Sequence, residues 1–263
     1  MIYQAILDAI MQTEPRRKCA LTDQLTAGWQ AGLLPRLDDT TIEPIDIPGR
    51  PAQPVLVDPR HVERRSLVSE TGRQALLHAF AHIEFNAINL ALDAAYRFRQ
   101  MPDEFISDWL CVAVEEARHF QLLTAYLEQL GSAYGAFTAH DGLWDMVCKT
   151  RHDVLHRMAL VPRVMEARGL DVTPGMMKKF AAIGDTHAVE ILQVIYDEEI
   201  GHVQIGNRWY HFCCTQRELN AQQTFQHLID QYFGGKLRGP FNTAARLAAG
   251  FEVDELIQLE NCL

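Results

Sequence analysis

Four glutamates stand where apolar residues are expected, and this constrains the fold more than any other feature of the chain. At steps of four and three, one stripe reads Leu77, Ala81, Glu84, Ile88, Ala91, Ala95, Phe98, the spacing of a single α-helical face. A second reads Trp109, Ala113, Glu116, Phe120, Leu123, Leu127, Leu130. A third carries Leu155, Ala159, Pro162 and Glu166, and a fourth Ala188, Leu192, Ile195, Glu199, His202, Gly206 and Trp209. An unpaired carboxylate in an apolar core is strongly destabilising. Four of them require a source of positive charge.

The second and fourth stripes add Glu116-x-x-His119 and Glu199-x-x-His202, and a spacing of three puts both side chains on one helix face, able to grip one ion. The halves of the chain repeat the pattern: Glu84 and Glu166 are 82 residues apart, and each member of the two Glu-x-x-His pairs lies 83 from its counterpart. A Glu from each of two helices plus a Glu-x-x-His from each of two others is how di-iron and di-manganese carboxylate bundles hold their ions. The expected metal ligands are Glu84, Glu116, His119, Glu166, Glu199 and His202. Two iron ions are the expected cofactor, with manganese or a mixed Mn/Fe pair as alternatives, because mixed carboxylate and imidazole sites suit these metals. About 17 residues separate Glu84 from Pro102 and about 14 lead back to Glu116, so at roughly 1.5 Å per residue the two acids of an antiparallel pair fall nearly level.

The expected fold is all-α, a four-helix bundle with helical N- and C-terminal extensions, since no alternating run is long enough for a sheet. Residues 1–60 form the N-terminal extension: helical at 3–12 and 16–31, then irregular through Pro35, Pro44, Pro48, Pro51, Pro54 and Pro59. Residues 61–215 form the di-metal bundle, and 216–263 a C-terminal helical extension packed on it. Met101-Pro102-Asp103 should end the first long helix and cap the second, and Gly131 should stop the second. A crossing connection rich in Gly, Ala and His follows through Gly142. Gly169 to Pro174 should break the third helix and leave a short helical segment over 175–184. Pro162 should remove a backbone hydrogen bond one turn before Glu166 and open space there.

Other ionisable residues read more plainly. His78 and His82 are turned well away from the face of Glu84, His187 is off the stripe of Glu199, and His152 is about four turns from Glu166, so none is expected to ligate. Glu115 and Glu198 precede the two ligand acids and could orient a ligand histidine, or simply face water. Arg118 has Gly201 as its counterpart, so the halves are not equivalent. Cys213-Cys214 reads as packing. Tyr196, one turn before Glu199, is the one candidate catalytic side chain besides the metals. Gly239 to Phe251, with Pro240, Asn242 and Arg246, reads as packing too, with a lid or an anion site as the other reading.

A formal net charge of -10 argues against binding phosphate backbones. Six cysteines at 19, 111, 148, 213, 214 and 262 lack the spacing of a disulfide framework or zinc site and read as reduced thiols. The basic residues near the start follow the apolar ones, the reverse of a secretory signal, and no apolar run reaches about 18 residues. A cytoplasmic protein with no membrane contact is expected.

Several longer strings resemble a bacterial and plant family catalogued as a domain of unknown function, and more broadly the ferritin-like superfamily. They are PGRP at 48–51, AHIEFNAINLALDAAYRF at 81–98, DWLCVAVEEARHF at 108–120, HDGLWD at 140–145, EARGLDVTPGM at 166–176, DEEIGHVQIGNRWY at 197–210 and GPFNTAARLAAGF at 239–251. EEARH also resembles the motif of bacterial di-iron monooxygenases, whereas its second copy, EEIGH, lacks the arginine; the tRNA-modifying hydroxylase is a further similar ferritin-like enzyme. The resemblance implies a ferritin-like bundle. With the ligand set, it leads to an expected O₂-dependent di-iron oxidoreductase, a hydroxylase or related oxidase, with dioxygen, an electron donor and a small organic substrate as partners. Alternatives are an iron-handling ferroxidase or peroxide-detoxifying protein, a tRNA-modifying hydroxylase with Arg60, Arg64, Arg65, Arg97 and Arg99 as a basic patch, and a non-catalytic metal-stabilised protein. Helical bundles of this kind often pair, so a homodimer is expected.

Overall fold

The computed structural model describes residues 1–37, 41–62 and 67–261. They are all-α, without a strand among the described residues; the sole sheet-like feature there is an isolated bridge between Leu56 and Ala139. Backbone contacts divide the chain into two units, Met1–Cys148 and Lys149–Leu263.

The first unit contains helices α1 (Ile2–Met11), α2 (Pro15–Gln30), α3 (Glu70–Arg97), α4 (Asp103–Gln129) and α5 (Gly142–Lys149), with a 3₁₀ turn at Pro59–His61. Ser69 starts α3 by accepting from the Gly72 amide, a side-chain N-cap. Helices α3 and α4 are joined through a tight turn over 98–102 and pack along their length. The Met101-Pro102-Asp103 string starts α4 as expected, though without a side-chain cap. Pro102 takes the cap position without a side-chain bond, and Asp103 in the first turn instead pairs with Arg36 at 2.6 Å. Gly131 ends α4 in the left-handed conformation, φ 72°, as Gly after a helix does.

The segment read as an N-terminal extension is built into this unit. α1 packs on α3 and α2 on α4. Lys18 of α2 is buried, and its ammonium donates to the Ala9 and Ile10 carbonyls at the end of α1 and to Asn89 Oδ1 of α3. The described part of the proline-rich stretch is irregular but pinned. Gly49 lies so close to the Met11 backbone that a Cβ would stand 2.2 Å from it, and Arg50 pairs with Asp141 at 2.6 Å. The PGRP and HDGLWD strings therefore meet through one ion pair. By length and composition α3 could cross a bilayer, yet most of it is buried inside the protein. Its buried residues include Asp93 and Arg97, paired at 2.6 Å, as suits a core helix.

The second unit contains α6 (Val154–Leu160), a π-helical segment (Val161–Glu166), α7 (Ala167–Ala182), α8 (Thr186–Gln216), α9 (Ala221–Phe233), α10 (Thr243–Ala248) and α11 (Val253–Asn261). Two expectations fail here for one reason, the handling of proline. The third stripe is not one α-helix: at Pro162 it widens into the π segment, in which the Ala167 amide reaches back to the Pro162 carbonyl. Further on, Gly169 to Pro174 does not break the helix, and α7 runs through Pro174. Pro174 cannot donate to the Leu170 carbonyl four residues earlier; Asn242 Nδ2 does so instead, at 3.1 Å.

Candidate metal centre

In the first unit, α3 supplies Glu84 and α4 supplies Glu116 and His119. All three are buried, at 2%, 0% and 0% exposure, as the apolar stripes around them require. His119 Nδ1 lies 3.4 Å from Glu84 Oε2 and 3.4 Å from Glu116 Oε2. Charged hydrogen bonds are shorter, about 2.7–2.9 Å. Two ligand atoms held on one ion at about 2.1 Å, at angles near 90–110°, stand about 3.0–3.4 Å apart. The trio has the spacing of a ligand set, its donor atoms all within 4.8 Å of one another. Glu84, Glu116 and His119 could hold a metal ion.

The electrostatics agree. Burial, reinforced by the neighbouring Glu116, pushes Glu84 up to about 8, although His119 opposes the shift. Burial pulls His119 down, but the neighbouring carboxylates of Glu116 and Glu84 outweigh it and raise it to about 11. Two carboxylates and an imidazole in a dry site hold on to positive charge, which a proton or a cation can supply.

In the second unit, Glu199 and His202 share a face of α8, with His202 Nδ1 3.8 Å from Glu199 Oε2 and the Glu199 side chain 12% exposed. Glu166 is buried at 9% and closes the π segment, just before α7. The turn starts at Pro162, whose ring lies against α8 where Gly206 has no side chain. A Cβ on Gly206 would stand 2.2 Å from Pro162 Cβ. The fourth stripe's glycine and the third stripe's proline are thus two sides of one contact.

The histidines read as non-ligating hold the 131–141 loop or the surface. His82 Nδ1 meets the Tyr134 hydroxyl at 2.9 Å and its Nε2 lies 3.1 Å from the His140 carbonyl. His78 Nε2 accepts from the Gly135 amide. His156 meets the Tyr232 hydroxyl, His152 packs edge-on against His156, and His187 lies 3.5 Å from Glu190. Cys213 and Cys214 are buried, and burial pushes Cys213 up to about 12, which keeps a thiol inert; none of the five described cysteines forms a disulfide. Tyr196 accepts a hydrogen bond from Asn242 Nδ2 at 3.0 Å. Arg97 and Arg99 cannot join a basic patch. Arg97 is paired with Asp93, and Arg99 is buried over the rings of Tyr3 and Tyr96. Arg60 is exposed and paired with Asp58, and Arg64 and Arg65 lie outside the described residues.

One neighbour of the trio escaped the sequence reading. Tyr134 packs on Phe85 and Phe120, the residues next to Glu84 and His119, with centroids 5.5 and 5.0 Å away. It comes from a loop, where no periodicity marks it.

Residues 11–257 match the model of a family described as "Protein of unknown function (DUF455)". The chain belongs to the DUF455 family. A relative, an uncharacterized protein of Haemophilus influenzae, is 45% identical over 99% of this chain and 95% of its own. No solved structure matches the chain significantly. In this DUF455 chain the family match spans all six glutamates and histidines of the expected ligand set.

Proposed function

We propose that this chain is a ferritin-like di-iron carboxylate protein in which Glu84, Glu116, His119, Glu166, Glu199 and His202 hold two ions, and that it is an O₂-dependent oxidoreductase. The observation that carries the reading is the buried trio: an imidazole nitrogen 3.4 Å from each of two carboxylates whose helices bury them. The internal repeat, 82 residues for the lone glutamate and 83 for the pair, adds Glu166 and a second Glu-x-x-His, with Glu166 and His202 buried. Four carboxylates balance the charge of two divalent ions. When bound, reduced iron supplies electrons and open coordination positions for dioxygen.

The chain's own residues prepare the site. Apolar stripes keep water from Glu84 and Glu116, and the i, i+3 spacing on α4 and α8 sets each histidine beside its acid. Tyr196, whose hydroxyl accepts from Asn242 Nδ2, is the candidate catalytic side chain besides the metals. A small organic substrate, an electron donor, dioxygen and a homodimeric assembly in the cytoplasm complete the proposal.

The test is to load metal-free protein with Fe(II) anaerobically, count iron per chain, and follow O₂ uptake on exposure to air, with Glu116→Ala and Glu199→Ala alongside. About two irons per chain, lost in both variants, with O₂ consumed, supports the reading. Stoichiometric iron with O₂ uptake and accumulating ferric mineral would move it to iron handling. No stoichiometric metal would overturn it.

A further inference from the structure

Glu166 is the one member of the ligand set outside a regular α-helix, and the chain on both sides of it is gripped by a single distant segment, residues 238–255. Three positions before Glu166, Arg163 is fully buried. Its guanidinium lies over the rings of Tyr210, Phe225 and Phe251, with centroids 4.3, 4.1 and 4.9 Å away, and its Nη2 donates to Glu255 Oε1 at 2.6 Å. After Glu166, Arg246 donates to both oxygens of Asp171 at 2.9 and 2.8 Å. Its Nη2 also reaches the Ala167 carbonyl at 3.4 Å. Asn242 bonds Asp171 and the Leu170 carbonyl, and Arg168 reaches the carbonyls of Arg238, Gly239 and Pro240.

Apolar side chains of similar volume would fill these places without the desolvation cost of burying two guanidiniums. What an ion pair adds is direction. Arg163–Glu255 and the two-pronged Arg246–Asp171 pair each fit one register of the chain, and a π segment has an α-helical alternative one residue away. We infer that residues 238–255 are a clamp that fixes the register of the π segment and so positions Glu166, with Arg163, Asp171, Arg246 and Glu255 as positioning residues. The inference rests on the proposed metal centre for its purpose, and on the contacts alone for its mechanics.

The test uses the full-length chain with Glu255→Gln and Asp171→Asn, both close in shape to the native side chains, and Glu128→Gln, which alters an exposed pair with Arg16, as control. Amide hydrogen exchange on metal-free protein should quicken about tenfold or more over 161–171 in the first two variants, with 84–119 and the control unchanged. Anaerobic Fe(II) titration should then show one of two ions weakened about 10–100-fold, the usual effect of removing a ligand's support, and the other at wild-type affinity. Unchanged exchange over 161–171 in both variants overturns the clamp, as does quickened exchange with both ions bound as in the wild type. If the wild type binds no stoichiometric iron, the metal reading fails on that result, and the exchange data still decide the clamp's mechanics.

Discussion

Glu84 separates two effects of a single side chain, because its carboxylate is harmful in the metal-free core and useful only with a cation beside it. Replacing it by the near-isosteric neutral amide, Glu84→Gln, removes a ligand while sparing the packing. The metal-free variant should melt at or above the temperature of the metal-free wild type. Fe(II) should raise the melting temperature of the wild type alone, since only a folded state that binds is stabilised. Differential scanning calorimetry with and without metal reads both. Asp153 works in the opposite sense. Burial alone pushes its carboxyl up, but the Arg217 guanidinium, at 2.7 and 2.8 Å, and the Leu155 amide outweigh it and hold it below the usual range. A depressed carboxyl contributes stability above its unfolded value of 3.8 and loses it as pH falls through the folded value. Asp153→Asn keeps the cap on α6 and should cost about 1 kcal/mol at neutral pH, discounted for partial exposure. Between neutral pH and about pH 3, urea denaturation should show a shallower decline for the variant.

Between elements, the clearest dependence is that of α8 on the π segment. Gly206→Ala forces a methyl into the Pro162 ring, and overpacking of this kind costs about 1–3 kcal/mol. In the background Pro162→Ala the ring is gone and most of that cost should vanish, so a double-mutant cycle by chemical denaturation should give a coupling above about 1 kcal/mol. A coupling near zero would mean that the two helices separate freely at that point. The same region shows what the sequence could and could not convey. Stripes at steps of four and three located α3, α4 and α8, since burial selects apolar residues at that period. They also located Glu84, Glu116 and His119, whose meeting the structure shows. The π segment was illegible, because one extra residue per turn shifts the face without altering composition. Pro174 looked like a break because the residue that relieves it, Asn242, lies 68 positions further along. Arg163 gave no signal for the same reason, since its partner Glu255 lies 92 positions further along.

For the molecule as a whole, a formal charge of -10 and the burial of Arg97 and Arg99 leave little field to attract a polyanion. At about 0.15 M salt, where charges are screened beyond about 8 Å, mixing with bulk tRNA should give no electrophoretic shift, and a retained complex would revive the tRNA-modifying reading. The position of the clamp in the chain has a further consequence, for biogenesis. A ribosome makes residues 84–119 well before residues 238–255, so on the proposed reading the side chains that hold Glu166 in register emerge long after Glu84, Glu116 and His119. Until residues 238–255 emerge, the growing chain has the group on α3 and α4 but not the contacts that fix the chain around Glu166. A chain stopped before residue 238 should therefore keep the Glu84, Glu116 and His119 group and lose the contacts of Arg163 and Asp171 on either side of Glu166.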